Sequence, residues 1–124
     1  MDQIKIINWL KNNNIEFIEN YDLSKKSWLR SGGEVKIFIQ PNNFNQVINL
    51  VKFFNHEKID FLPVGNLTNS LFRNGEIKTP FVNLKNIDDN ISLIEETDSN
   101  IVLKVGAGVS IFKYVNYLQN QFKI

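Results

Sequence analysis

Cysteine is absent from this chain of 124 residues, which removes disulfides and thiolate metal sites from consideration. A single histidine, His56, cannot build a zinc site with other imidazoles. Charge of one sign is also lacking: 14 basic and 13 acidic residues leave a formal net charge of +1, too little to hold nucleic acid or an anionic membrane. No apolar run approaches the ~18 residues of a membrane span, and Met1-Asp2-Gln3 has no basic leader character. A cytoplasmic setting without membrane or nucleic-acid partners is therefore expected. Repeats, linkers and low-complexity tracts are missing as well. What is present is 43% hydrophobic and includes ten Phe, enough for one core hiding roughly two thirds of the unfolded surface.

Asp2 is placed to cap a first helix with Ile4, Ile6, Ile7 and Leu10 on one face, stopped by Asn12-Asn13-Asn14. A strand over Ile15–Ile18 follows, then a polar connection from Asn20 to Lys26, then a tight turn at Ser31-Gly32-Gly33. The alternating run Val35–Ile39 reads as a strand closed by Pro41. From Phe44 the set Phe44, Val47, Ile48, Val51 and Phe54 repeats at helical spacing, with Asn42 or Asn43 as cap. The short apolar run Phe61-Leu62-Pro63-Val64 fits a strand covered on both faces after a helical crossover, giving a parallel strand–helix–strand unit. Strands are expected again at 81–84, 91–95 and 101–105, the last two joined as a hairpin by Asp98-Ser99-Asn100. Ser110 then caps a last helix with Ile111, Val115, Leu118 and Phe122 in one stripe, read as core.

Two small-residue loops carry the chemistry. Phe61–Val64 runs into Gly65-Asn66-Leu67-Thr68-Asn69, and the strand ending at Val105 runs into Gly106-Ala107-Gly108. A turn of Gly, Asn and Thr after a buried strand points several backbone N–H groups into one concavity, an anion cradle with no basic residue in it. Ordinary strand-to-loop turns have the same spacing. The acidic residues Asp88, Asp89, Glu95, Glu96 and Asp98 straddle a strand and a turn instead of one ligand loop, so they read as a solvated face. His56 near a helix C-terminus reads as a surface complement to the macrodipole.

Ser27-Trp28-Leu29-Arg30-Ser31-Gly32-Gly33, then Phe38-Ile39-Gln40-Pro41, then the Val64–Phe72 loop, then Gly106-Ala107-Gly108, resembles in order and separation the N-terminal half of the UDP-N-acetylenolpyruvoylglucosamine reductase (MurB) family. The resemblance runs from about Leu23 to the last residue. It implies an α+β fold, a strand-helix-strand subdomain followed by a mostly antiparallel sheet and a C-terminal helix, as in the first part of a vanillyl-alcohol-oxidase or PCMH-type FAD-binding domain. It implies FAD as cofactor. The backbone of Gly65, Asn66, Leu67 and Thr68 would then lie beside the pyrophosphate, with Thr68 and Asn69 donating from side chains. Gly106, Ala107 and Gly108 would let a second loop approach, since a Cβ there would meet a bound ring or phosphate. Of the two guanidinium groups, Arg30 and Arg73, Arg30 beside Gly32-Gly33 would be the better candidate for a phosphate contact, a surface ion pair being the other reading.

One departure from the family is local: Leu67 stands where the second loop glycine belongs, and leucine tolerates positive φ poorly. A larger one is that the family continues with the rest of the FAD domain and a substrate domain bearing the Ser proton donor, for which this sequence holds no positional match. The expectation is one incomplete FAD-binding-type domain over 1–124, with subdomains of about 1–64 and 65–124, not catalytic alone. It would belong to a flavin oxidoreductase of cell-envelope sugar metabolism, with a nucleotide-sugar substrate only in a completed enzyme. The alternative is a structural module that keeps the fold without flavin. In both readings open sheet edges call for a homo-oligomer or a complementing chain. A stand-alone enzyme would need two convergent titratable groups that the sequence does not display.

Overall fold

The computed structural model describes residues 3–25, 33–65 and 75–122. Helix α1 (Gln3–Asn12) buries Ile6 and Leu10, while Ile4 of the expected stripe is exposed. Its end is set by Asn14 at φ 55, a left-handed position that asparagine tolerates. The turn drops Ile15 into the core.

Strand β1 (Glu16–Asp22) pairs antiparallel with β2 (Glu34–Gln40), Phe17 opposite Ile39 and Tyr21 opposite Val35. The polar connection expected from Asn20 is therefore strand as far as Asp22. Polar composition is overridden there because Tyr21 stacks on Phe38, ring centroids 4.1 Å apart, and such cross-strand ring contacts stabilise pairing. Burial pushes the Tyr21 phenol up from its ordinary value. Asp22 then accepts from both the backbone N–H and the hydroxyl of Ser24, starting a short 3-10 turn over Leu23–Lys25.

Helix α2 (Phe44–Glu57) begins at Asn43, whose side chain accepts from the Gln46 N–H at 2.9 Å. Gln46 reaches back to accept from the Asn42 N–H at 2.7 Å, a reciprocal arrangement close to a capping box. The helix buries Leu50 and Phe54. Phe44 and Ile48, expected on that face, lie on its exposed flank, because the buried arc centres on the 50/54 pair at i, i+4.

Strand β3 (Leu62–Val64), β4 (Glu76–Ile77) and β5 (Phe81–Asn83) complete the first sheet. Its order is β1-β2-β5-β3, with β4 paired to β2 off that path. The expected parallel strand–helix–strand unit is present, but β5 inserts between its two strands, parallel to both. This leaves β3 at the edge, with Leu62 43% exposed, not covered on both faces. Pro63 suits that edge, since it has no N–H for a further neighbour. Strands β4 and β5, both past residue 64, pair within the first sheet.

The core has two parts. Ile6, Leu10, Ile15, Ile37, Ile39, Leu50, Phe54 and Val82 form the larger, and Leu23, Val35, Phe38 and Phe81 the smaller. Beyond them β6 (Ile91–Glu96) and β7 (Ile101–Val105) make the expected antiparallel hairpin. Helix α3 (Ile111–Phe122) starts as expected at Ser110, whose hydroxyl accepts from the Lys113 N–H. Its apolar stripe is not core, however: none of its described residues is buried, and Ile111 and Phe112 are 72% and 80% exposed. Stripe periodicity names a face and cannot name what covers it.

Candidate functional site

The β7–α3 loop is fixed by the segment that leaves β5. The Gly106 N–H donates to the Asn90 carbonyl at 2.9 Å, the Gly108 N–H to the Asp88 carbonyl at 3.0 Å, and the Val109 N–H back to Gly106. Segment 84–90 is itself folded by short-range bonds. The Lys85 N–H donates to the Asn83 side chain, and the Asn90 N–H to the Asp88 carboxylate, both Asx-type turns. Asp88 sits at φ 46, and Ile87 anchors the segment in the interior. Lys113 of α3 donates to the Asp89 carbonyl, tying the helix start to the same platform.

This packing explains the two glycines. A Cβ on Gly106 would lie 2.0 Å from the Asp88 carbonyl oxygen, and one on Gly108 would lie 2.5 Å from that of Lys85 and 2.7 Å from that of Ile87. The collision expected with a bound ring or phosphate is thus met first inside the chain, by its own backbone. Ala107 between them is exposed. No partner for its N–H is found among the described residues.

Gly65 is different: among the described residues, a Cβ there would have nothing within 4 Å. It follows Val64, which pairs with Asn83 at the carboxyl end of β5 and accepts from the Leu84 N–H. The next residues, 85–88, are those that hold Gly106 and Gly108. Val64, just before Gly65, and the Gly106–Gly108 loop are therefore both tied to the one short stretch 84–90, which leaves the carboxyl end of the parallel strand β5. Parallel sheets place their ligand crevices at that end. Of the other sequence-selected residues, Arg30, Asn66, Leu67, Thr68 and Asn69 lie outside the described residues, as do Arg73 and the Ser31-Gly32 turn.

The donors on view are main-chain: the exposed N–H of Ala107 and the first turn of the α3 N-terminus. Such donors together suit an anionic pyrophosphate, so the residues fit a dinucleotide. The acidic residues Asp88, Asp89, Glu95, Glu96 and Asp98 are exposed as expected, and no group able to hold a metal ion occurs among the described residues. His56 is exposed in the last turn of α2. Sequence reasoning missed the platform 84–90. Its signal was the pair Asn83 and Asp88, two turn-forming side chains flanking a stretch that ends in the apolar Ile87.

A family model described as FAD binding domain matches residues 35–123. Among named proteins, the chain is 29% identical over 108 residues to UDP-N-acetylenolpyruvoylglucosamine reductase of Clostridioides difficile, covering 87% of this chain and 34% of the relative. It is 27% identical to the enzyme of the same name from Listeria monocytogenes, over 71% of this chain and 28% of the relative. A third, from Streptococcus pneumoniae, is 34% identical over 64% of this chain and 28% of the relative. The chain thus spans about a third of the length of the curated relatives it matches. A crystal structure of cholesterol oxidase from B. sterolicum superposes with a TM-score of 0.62 at 16% identity, over 87% of this chain and 20% of that one. That likeness carries the fold.

Proposed function

Because the chain belongs to the FAD binding domain family, we propose that it forms one wall of the FAD site of a MurB-like oxidoreductase, holding the pyrophosphate chiefly through main-chain N–H groups. FAD is the cofactor of the family it belongs to. The observation that supports the reading is that Val64, just before Gly65, and the Gly106–Gly108 loop both bond to the stretch 84–90. Ala107 and the start of α3 supply donors; the carbonyls of Lys85, Ile87 and Asp88 fix the loop that presents them.

When bound, the flavin supplies hydride chemistry that amino-acid side chains lack. The residues of this chain bind and orient it. In a completed enzyme of the reductase type the substrate would be an enolpyruvyl nucleotide sugar and the hydride source NADPH, and the proton donor would come from outside the matched third. A cytoplasmic setting belongs to the same proposal; among the described residues, no helix is long and apolar enough to cross a membrane. A flavin-free module is the weaker reading, since the match to the FAD binding domain covers the loops themselves.

Titrating the protein into FAD and following flavin fluorescence tests this. A saturable change is expected for the native chain. Gly65→Val, whose added Cβ meets nothing among the described residues, is expected to weaken binding roughly tenfold, about 1.4 kcal/mol, with an unchanged circular dichroism spectrum. No response from the native chain, or equal uptake by the variant, would overturn the assignment.

A further inference from the structure

Gly33 and Gly75 meet where β2 and β4 begin. A Cβ on Gly33 would fall on the backbone of Gly75, whose carbonyl oxygen, nitrogen and carbonyl carbon all lie within 2.7 Å of that position. Gly75 itself sits at φ 107, where a side chain is strained. Hydrogen bonds lock the contact: the Leu23 N–H donates to the Gly33 carbonyl and the Glu34 N–H to the Gly75 carbonyl, each at 2.9 Å. Glu34 and Val35 then pair in parallel with Glu76 and Ile77. Leu23 and Val35 are fully buried in the smaller core, so the clasp is seated on packed side chains.

The position of this clasp in the chain gives it a consequence for binding. Gly33 follows directly on Arg30-Ser31-Gly32, and Gly75 closes the stretch that Gly65 opens. The other end of that stretch is fixed too, because Val64 pairs with Asn83 and accepts from the Leu84 N–H. A single backbone contact therefore closes two stretches of chain, one between Leu23 and Gly33 and one between Val64 and Gly75. We infer that Gly33 is a positioning residue for the flavin: by lacking a side chain it lets the two stretches be anchored to each other, so FAD meets both with their ends already fixed. The inference rests on the FAD reading. Binding to a segment held at both ends costs less ordering than binding to one with a free end. With the clasp open, the next anchor after Val64 is Phe81, buried in β5 and paired to β2 and β3.

The test is FAD titration of full-length variants at low temperature, where circular dichroism shows each to be folded. Gly33→Ala is expected to bind FAD roughly threefold or more weakly than the parent. Glu34→Pro, which only removes the N–H that donates to Gly75 at the first residue of a strand, is expected to do the same and serves if Gly33→Ala does not fold. Leu10→Ala, destabilised in the larger core, is expected to keep the parent's affinity. The absence of cysteine allows a rescue: Glu34 and Glu76 are register partners, and neighbouring strands about 4.8 Å apart are within the span of a disulfide. Adding Glu34→Cys and Glu76→Cys to Gly33→Ala is expected to restore affinity on oxidation and lose it again in dithiothreitol. Parent-like affinity in both clasp variants, an equal loss in Leu10→Ala, or no gain on oxidation would overturn the inference. The parent's own FAD response is read first, so these failures are distinguishable from failure of the FAD reading.

Discussion

Phe54→Ala is expected to lower the stability of the chain by about 3–5 kcal/mol. Phe54 is fully buried and its ring lies 5.1 Å from that of Phe61 and 5.7 Å from that of Phe53. It joins α2 to α1 and to strand β2 in the larger core, where removing the ring leaves a cavity that a helix pinned at both ends cannot close. Domains of this size hold only about 5–15 kcal/mol in total, so the variant will lie near the edge of folding. Phe44→Ala, in the same helix but 66% exposed, is expected to fall within about 0.5 kcal/mol of the parent. Urea denaturation of the two variants side by side reads the difference as a shift in midpoint. Equal shifts would place the helix on the wrong face.

Gly106→Ala is expected to cost about 1–3 kcal/mol, a large penalty for one methyl group on an exposed loop. The added Cβ would meet the Asp88 carbonyl oxygen at 2.0 Å, and that oxygen cannot swing aside as a side chain would. It accepts from Gly108 in the same turn and belongs to a residue already in the left-handed region. Loop and platform must therefore separate, which also moves Ala107 and the start of α3. A lower melting temperature and a loss of flavin response are expected together. Gly65→Ala, whose Cβ meets nothing among the described residues, is expected to melt within a few degrees of the parent, about 0.5 kcal/mol. A Gly106→Ala protein as stable as the parent would contradict the loop geometry.

Local chemistry was legible in the sequence wherever one residue decides the outcome. Asn43, one of the two caps expected, starts α2, Asp98-Ser99-Asn100 turns the hairpin, and Ser110 starts α3, all as expected. The parallel relation of β2 and β3 was legible too, from the helix between them. Tertiary competition was not. Phe61–Val64 is as apolar as a central strand, yet β5, arriving later in the chain, takes the centre and leaves β3 at the edge. Pro63 carried that information and was outweighed by hydrophobicity. β1 continues through Asn20 and Tyr21 because the Phe38 ring on the neighbouring strand β2 supports it, a contact no local window contains.

The site shows the same division. Both glycine loops could be found from composition, and the resemblance gave them a ligand. The reason Gly106 and Gly108 must lack a side chain could not be found that way, because the obstruction comes from Lys85–Asp88, about twenty residues upstream in the chain and adjacent only after folding. The apolar stripe of α3 was legible as a face, but its reading as core is not met, since none of the described residues of the helix is buried.

The account stands on two glycine loops meeting beyond the carboxyl ends of β3 and β5 to receive one dinucleotide. Amide spectra of the isotope-labelled chain titrated with FAD measure this position by position. Saturable shifts are expected at Gly65, Ala107, Ser110 and Ile111 with a common binding constant, and none along α1. Shifts confined to α1 and β1, or separate binding constants for Gly65 and Ala107, would contradict it.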